Sequence, residues 1–178
     1  MLLILDLHYE DACTFVGWVK ADTFKSHAPS ACGRAKVMGT PAPYVAGEFW
    51  VREVPPIMSF LQDRPDILCD VTCIIVDCLC HLPTGKPSMG EKLYEALDRK
   101  YRVIGVAKTN FNDSQAYQIT RSSSTRPLYI TECGTRDWRD IGNTIRDMHG
   151  PYRIPTLLKL ADSLARGHPC GMAASENC

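Results

Sequence analysis

Two short apolar segments of the sequence are each followed by an aspartate. Met1-Leu-Leu-Ile-Leu precedes Asp6, and Cys73-Ile-Ile-Val precedes Asp77. A continuous run of Leu, Ile and Val between polar residues is typical of a strand that is buried on both faces. Sites in open α/β sheets form at the carboxyl ends of such strands, so we expect the two acids to meet there. Two carboxylates at one edge of a sheet predict a metal site.

Glu53 is the third acid that we assign to this site. Hard divalent cations such as Mg²⁺ take oxygen ligands, which makes Asp6, Glu53 and Asp77 suitable metal ligands. Without a cation, clustered acids would repel one another and some would become protonated. On spacing alone an alternative stays open, in which Asp6 and Asp77 are turn or helix-capping residues.

The elements around these acids predict an α/β fold. Strands are predicted at residues 1–7, 14–19, 35–38, 72–77 and 102–107, with a closing hairpin of 116–120 and 128–131. Helices are predicted at residues 56–62, 90–98, 137–148 and 155–165, the first because Pro55 and Pro56 suit the first turn of a helix. This order fits a ribonuclease H-like mixed sheet that is flanked by helices.

Length and composition bound the class of protein. The 178 residues predict one domain over 1–166 and a disordered tail over 167–178. A net charge of zero argues against a strongly basic coat for nucleic acid, although a local groove needs only one positive face. No segment has the roughly 20 apolar residues of a membrane helix, and no basic region opens the chain. We therefore expect an intracellular protein with no membrane partner.

The nine cysteines of the chain have two interpretations. Cys69, Cys73, Cys78, Cys80 and His81 suggest zinc, but they do not form paired Cys-x-x-Cys units. Reduced thiols that behave as small buried hydrophobes are the favoured interpretation.

Six motifs, in consistent order over most of residues 1–166, resemble those of the endonuclease V family. They are Pro43-Tyr-Val-Ala-Gly47, Val51-Arg-Glu-Val-Pro55, Val76-Asp77, Ile104-Gly-Val-Ala-Lys108, Ser124-Thr-Arg-Pro-Leu-Tyr-Ile130, and Tyr152-Arg-Ile-Pro155 with Ala161-Asp162. The resemblance implies a ribonuclease H-like fold and a Mg²⁺-dependent nuclease, with Mn²⁺ as a possible substitute. Its substrate would be DNA or RNA that contains deaminated adenine.

The resemblance also implies roles for individual residues. Asp6, Glu53 and Asp77 would be the metal-binding carboxylates of an enzyme that cuts the second phosphodiester 3′ to inosine or deoxyinosine. Water would attack the phosphate and leave 5′-phosphate and 3′-hydroxyl ends, while the metal activates the water and neutralises phosphoryl charge.

Four residues are expected to contact the substrate. Tyr44 matches the strand-separating wedge of the family, with an ordinary core tyrosine as the alternative. Gly47 of the same motif is expected to line the site. Lys108 would contact the scissile phosphate or orient a ligand, and is otherwise a solvated strand end. Arg52 is either a phosphate contact or a surface ion-pair partner.

The chain departs from the family pattern at three places. Asp77-Cys-Leu-Cys-His81 stands where the family has Asp-Gly-x-Gly and a functional histidine, so His81 is only an approximate catalytic counterpart. Gly134-Thr-Arg136 replaces a Gly-His-Arg motif, and Thr135 cannot titrate near neutral pH. The N-terminal helix of the family is missing, which indicates a divergent, N-terminally short member.

Three functions remain open at this point. The first is an active inosine-directed endonuclease that works as a monomer. The second is a non-cleaving paralogue that binds inosine, and the third is a ribonuclease H-like nuclease with another specificity. Six basic residues near the site are candidates for phosphate contacts, although many of them are expected to be no more than solvated surface. They are Arg52, Lys86, Lys108, Arg121, Arg126 and Arg136.

Overall fold

Seven strands form one mixed sheet at the centre of the molecule. They are β1 (Leu2–Glu10), β2 (Cys13–Ala21), β3 (Ala31–Met38), β4 (Cys73–Val76), β5 (Arg102–Ala107), β6 (Tyr117–Ile119) and β7 (Leu128–Glu132). Their order across the sheet is β3-β2-β1-β4-β5-β7-β6, in which β1, β4 and β5 are mutually parallel and the other pairs are antiparallel. This computed structural model describes residues 1–83, 85–111, 114–134 and 138–170.

Helices cover both faces of the sheet, which confirms the predicted α/β class. They are α1 (Phe49–Asp63), α2 (Met89–Ala96), α3 (Arg139–Arg146) and α4 (Thr156–Ala165). Because side chains alternate along a strand, Leu3 and Leu5 of β1 pack with α1 and α2, whereas Leu2 and Ile4 pack with α3 and α4. Among the residues that the structure describes, no helix is both long and apolar enough to cross a membrane.

The first strand is longer than the sequence predicts, and this changes the position of Asp6. β1 continues to Glu10 as an antiparallel ribbon with β2, while its parallel neighbour β4 stops at Val76. Asp6 therefore lies inside a strand and not at its end. Asp6 and Asp77 nevertheless lie side by side, as expected. Leu5 of β1 pairs with Val76 of β4, and the residue that follows each of them is one of the two acids.

The predicted start of the first helix is wrong. α1 begins at Phe49, seven residues before Pro56, so both prolines lie inside the helix. A proline lacks the N–H that would bond four residues back, which leaves the carbonyls of Val51 and Arg52 without that donor. The buried residues at 53, 54, 57, 60 and 61 recur at helical spacing, and their packing outweighs the loss. Glu53 is consequently a helical residue.

Helix α4 packs directly against the β1–β2 ribbon at Gly17. A Cβ atom built at Gly17 would lie 2.1 Å from the carbonyl oxygen of Ala161, so any larger residue would push the helix away. This close approach brings the carboxyl-terminal half of α4 next to Gly17, the residue of β2 that pairs with Asp6.

Arg121 does not have the phosphate-contacting role that the sequence suggested. Arg121 is 4% exposed, and its guanidinium donates hydrogen bonds to carbonyls of the last residue of α3 and of the segment between α3 and α4. The acceptors are the carbonyl oxygens of Arg146, Met148, Gly150, Tyr152 and Arg153. A buried cation that is satisfied in this way holds the chain in place, and it is not available to a ligand.

Candidate active site

Asp6 and Asp77 lie side by side on one face of the sheet. The pairing of Leu5 with Val76 brings them level, and the alternation of β1 places Asp6 on the face of Leu2 and Ile4, toward α4. The backbone N–H of Leu7 donates to Asp6 Oδ1 over 2.8 Å. The carboxyl end of the parallel strands thus carries two acids, as the apolar segments predict.

Lys108 joins these acids from the next parallel strand. It follows β5, and its Nζ lies 2.5 Å from Asp77 Oδ2. Burial lowers the pKa of Lys108, but the charge and hydrogen bond of Asp77, with the charge of Asp6, outweigh burial and raise that pKa. The lysine is therefore a fixed cation at the site.

Glu53 reaches the same edge from α1, on the opposite face. The residue is 8% exposed, and its Oε1 accepts a hydrogen bond from the hydroxyl of Tyr9. Burial raises the pKa of Glu53 to about 7, with the charges of Asp6 and Asp77 adding to the rise; the Tyr9 hydrogen bond opposes it. Burial and the charge of Glu53 also raise the pKa of Tyr9.

The pKa of Asp6 is raised as well, to about 6. Burial is the largest cause and the charge of Asp77 the second; Lys108 and the N–H of Leu7 act in the opposite direction. Mutual repulsion of this kind indicates that Asp6, Asp77 and Glu53 share one electrostatic environment. A divalent cation would relieve that repulsion.

The chemistry of the donor set fits a hard cation, although the side chains are engaged with other partners. Three carboxylates offer only oxygen ligands, which suits Mg²⁺ or Mn²⁺. In this structure Asp77 pairs with Lys108 and Glu53 accepts from Tyr9. Within the described part of the chain, no group of three or more His, Cys, Asp or Glu side chains is arranged to hold a metal ion. The roles of Asp6, Glu53 and Asp77 as ligands thus remain a prediction.

A fourth acid, Asp162, lies beside the site. It lines the same cavities as Asp6, Asp77 and Lys108, and its charge contributes to the raised pKa of Asp6. The Nε of Arg166, the residue directly after α4, lies 2.9 Å from Asp162 Oδ1. The motif that contains Asp162 was recognised in the sequence, but nothing in it showed that the packing of α4 at Gly17 would bring this acid to the sheet edge.

An aromatic cavity of about 350 Å³ opens on the α1 and α2 side of the acids. We use this name for the space lined by Tyr44, Gly47, Phe49 and Phe111, together with Asp77 and Lys108. Tyr44 is 62% exposed and meets Phe49 edge to face at 6.0 Å, so the alternative of a core tyrosine is wrong. Gly47 has φ +85°, a conformation that L side chains rarely adopt.

A second cavity, of about 390 Å³, lies on the α4 side of the same acids. We call it the α4 cavity; Tyr152, Ile154, Leu158 and Lys159 line it beyond the acids. Asp77 and Lys108 border both cavities. The charged edge of the sheet therefore separates two mainly apolar spaces on opposite faces.

The side chain of Arg52 extends from α1 to Tyr9 of β1. Its guanidinium carbon lies 3.9 Å from the centre of the Tyr9 ring, and it lines a cavity with Asp6 and Glu53. The Nε of Arg52 is buried and has no hydrogen-bond partner among the residues that the structure describes. An unsatisfied buried donor beside carboxylates is a candidate for an anionic ligand.

His81 does not join the acids, which corrects its assignment as a catalytic residue. The segment after Asp77 turns back across β5. His81 Nε2 lies 3.1 Å from the carbonyl oxygen of Glu132. Glu132 pairs with Ile104, which is in the amino-terminal half of β5. Its ring stacks on Trp138 at 5.4 Å. The chain reversal after β4, which spacing does not reveal, moves the histidine away from the carboxyl edge.

The cysteines after Asp77 belong to the core. Cys78 and Cys80 are buried, and Cys80 Sγ would lie 2.6 Å from a Cβ atom at Gly90. The buried-thiol interpretation is confirmed for these two and for Cys73, whereas Cys69 is exposed. Neither Cys78 nor Cys80 adopts a positive φ, so the backbone here does not need the glycines of the family motif.

Two further expectations, the replacement of the Gly-His-Arg motif and the C-terminal tail, concern residues outside the described ones. Thr135 and Arg136 lie outside the described residues, as does most of the predicted tail, from residue 171 onward.

Comparison with known proteins identifies the fold. No protein-family model matches the chain, and no curated protein sequence matches it. Solved structures do match: human endonuclease V has 20% identity and a TM-score of 0.68, covering 93% of this chain and 82% of the human one. Endonuclease V of Streptomyces avermitilis has 22% identity and a TM-score of 0.68, covering 93% and 79%.

A further match carries a ligand. Endonuclease V of Ciona intestinalis, in complex with a 24mer DNA containing an inosine followed by a ribo-adenosine, has 15% identity and a TM-score of 0.69 over 93% of this chain and 83% of that one. The chain therefore has the fold of the endonuclease V structures, a ribonuclease H-like α/β fold.

Proposed function

We propose that this chain is a divalent-metal-dependent endonuclease that cuts nucleic acid near inosine or deoxyinosine. The observation that carries the proposal is the convergence of Asp6, Asp77, Glu53 and Lys108 at one sheet edge, directly beside the aromatic cavity. An acid cluster alone is a metal site of many possible kinds. Its position next to a pocket with an exposed tyrosine favours chemistry on a nucleotide.

Asp6, Glu53 and Asp77 would hold Mg²⁺ or Mn²⁺, and Asp162 is close enough to support them. A bound divalent cation lowers the pKa of water and neutralises charge on a phosphodiester. The raised pKa values of Asp6 and Glu53 support this role, because buried acids that repel one another gain from a cation.

Lys108 and Arg52 would hold the phosphate. Lys108 Nζ already lies at Asp77, so a phosphate oxygen at the site would meet a cation that is fixed in place. Arg52 offers a buried Nε–H that lacks a partner among the described residues. Both donors lie beside the acids, where negative charge of the substrate would otherwise be repelled.

Tyr44 and the aromatic cavity would hold the modified base. The volume of about 350 Å³ suits a purine, and the aromatic rings of Phe49 and Phe111 suit stacking. A residue that enters a base stack and holds an extruded base in a pocket must be exposed, and Tyr44 is exposed. The endonuclease V structures in complex with DNA containing an inosine support inosine as the base of the ligand.

The bond that is cut would be the second phosphodiester 3′ to the inosine, with 5′-phosphate and 3′-hydroxyl products. DNA and RNA are both candidate substrates, and the protein would act as a monomer. This choice rests on the resemblance of the motifs, and the geometry is compatible with it because Asp77 borders the aromatic cavity while Asp6 and Glu53 lie outside its lining.

A non-cleaving inosine-binding protein is the second candidate. The observation in its favour is that Asp77 pairs with Lys108, and that the described acids do not form a group arranged to hold a metal ion. Such a protein would keep the aromatic cavity and Tyr44 while losing hydrolysis.

The test is cleavage of end-labelled oligonucleotides that carry one inosine or one deoxyinosine, with Mg²⁺ or Mn²⁺. Matched strands with adenine and the Asp77→Ala variant serve as controls. The proposal predicts a cut one nucleotide 3′ of the lesion that disappears in the variant. Selective binding without a cut would support the second candidate, and a cut that ignores inosine would indicate a nuclease of another specificity.

A further inference from the structure

The α4 cavity has no role in the inosine site described above, yet it borders the same reacting centre. Its walls beyond the acids are apolar at Ile154 and Leu158 and carry an aromatic ring and a cation at Tyr152 and Lys159. Tyr152 is 65% exposed, so its ring is accessible to a ligand.

The backbone that carries Tyr152 is held firmly. Buried Arg121 donates from Nη1 to the carbonyl of Tyr152 over 2.7 Å, and Arg153 donates from Nη2 to the carbonyls of Lys108 and Pro127. The second pair of hydrogen bonds ties this segment to the end of β5, where Lys108 lies. The backbone of Tyr152 is therefore held next to the end of β5, while its ring is exposed.

Lys159 adds a positive charge to the ring. Its Nζ lies 5.2 Å from the centre of the Tyr152 ring, within the range of a cation–π contact. An exposed aromatic next to a cation is the combination that binds single-stranded nucleic acid, by stacking on a base and attracting its phosphate. Lys159 lies one helix turn before Asp162, and both line the α4 cavity together with Tyr152, so a bound nucleotide would be next to the acids.

We propose that Tyr152 and Lys159 bind the nucleotide directly 3′ of the cleaved bond, the ring by stacking on its base and the lysine by contact with its phosphate. This inference rests on the proposed function. If the inosine occupies the aromatic cavity, the strand must cross Asp77 and Lys108 to continue, and the α4 cavity is on the other side of that pair. Because every base has a face that can stack, the site would require a base without selecting which one.

The test compares two single strands with one inosine, in which the nucleotide 3′ of the cleaved bond is either intact or abasic. Binding is measured by fluorescence anisotropy in EDTA, and cleavage by single-turnover rates with Mg²⁺. The wild type is expected to bind the abasic strand about 5- to 100-fold more weakly. Tyr152→Ala is expected to bind the intact strand as weakly as the wild type binds the abasic strand. Its affinity for the abasic strand should be no lower than that.

Two variants separate loss of the ring from loss of folding or charge. Tyr152→Phe keeps the ring and is expected to behave as the wild type. Lys159→Gln is expected to reduce the slope of log affinity against log salt by about 1. Tyr44→Ala is the matched aromatic control from the other cavity, and it should keep the full effect of the abasic nucleotide.

The inference is overturned if Tyr152→Ala retains the wild-type loss on the abasic strand, or if the wild type shows no such loss. Failure of the proposed function has a different signature, since the wild type would then treat inosine and adenine strands alike. In that case, an abasic effect on the adenine strand that disappears in Tyr152→Ala would still support nucleotide binding at the α4 cavity.

Discussion

Replacing Glu53 with Gln should stabilise the metal-free protein at alkaline pH. The carboxyl group of Glu53 has an ordinary pKa of 4.5, and burial with neighbouring acids raises it to about 7 in the folded protein. The folded state therefore binds this proton more tightly than the unfolded state does. Stability from this proton is present below about pH 4.5 and is lost as the pH rises through about 7.

The size of the effect follows from the shift. A difference of about 2.5 pKa units at about 1.4 kcal/mol each corresponds to about 3 kcal/mol at pH 8. Glutamine is neutral at every pH and its carbonyl can still accept the hydrogen bond of Tyr9. Part of the shift comes from Asp6 and Asp77, so 3 kcal/mol is an upper value, and the effects of Glu53→Gln and Asp6→Asn should not add.

The assay is urea unfolding in EDTA, followed by tryptophan fluorescence at pH 5 and pH 8. Glu53→Gln should exceed the wild type by about 2–3 kcal/mol at pH 8 and by less than about 1 kcal/mol at pH 5. Asp63→Asn, an exposed acid at the end of α1, is the control and should not change the pH dependence. The reasoning is refuted if Glu53→Gln is no more stable than the wild type at pH 8, or if it gains equally at both pH values.

Three other predictions concern the site and its support. The single-turnover cleavage rate with Mg²⁺ should rise between about pH 5 and pH 8. Asp6, with a pKa of about 6, and Glu53, with a pKa of about 7, must lose their protons to bind a cation. A rate that does not change with pH would contradict this. Lys108→Met should lower the cleavage rate about 100-fold. It should change the free energy of unfolding by less than about 1 kcal/mol, because the ion pair with Asp77 is partly exposed. Lys108→Arg, which keeps the charge, should retain more activity than Lys108→Met. Arg121→Met should destabilise the protein by about 3 kcal/mol or more in urea unfolding, because it leaves five carbonyls without their donor. The control Arg126→Met, at an exposed position, should leave the free energy of unfolding nearly unchanged.

The sequence predicts the strand-borne part of the site well. Asp6 and Asp77 follow apolar segments that are typical of buried strands, and parallel pairing of those strands brings the acids together. Lys108 follows the same pattern after β5. These positions depend on local periodicity and on one pairing rule, both of which can be read from the chain.

The remaining part depends on packing between distant segments. The start of α1 was predicted incorrectly because buried contacts along the helix outweigh the two prolines, so the sequence did not place Glu53 in a helix. His81 is drawn to Glu132 and Trp138 by a chain reversal that has no sequence signal. Asp162 and Tyr152 reach the site because α4 packs against Gly17 and Arg121 fixes the preceding segment.

The most direct test of the central claim is the binding of Mn²⁺ to the metal-free protein, measured by electron paramagnetic resonance at pH 8. The wild type should bind Mn²⁺, Mg²⁺ should displace it, and Asp6→Asn and Asp77→Asn should each weaken binding at least 10-fold. Glu132→Gln, which changes a buried acid paired with Arg102 away from the site, should bind as the wild type does. Equal Mn²⁺ affinity in the wild type and in both aspartate variants would contradict a carboxylate metal site at this edge of the sheet.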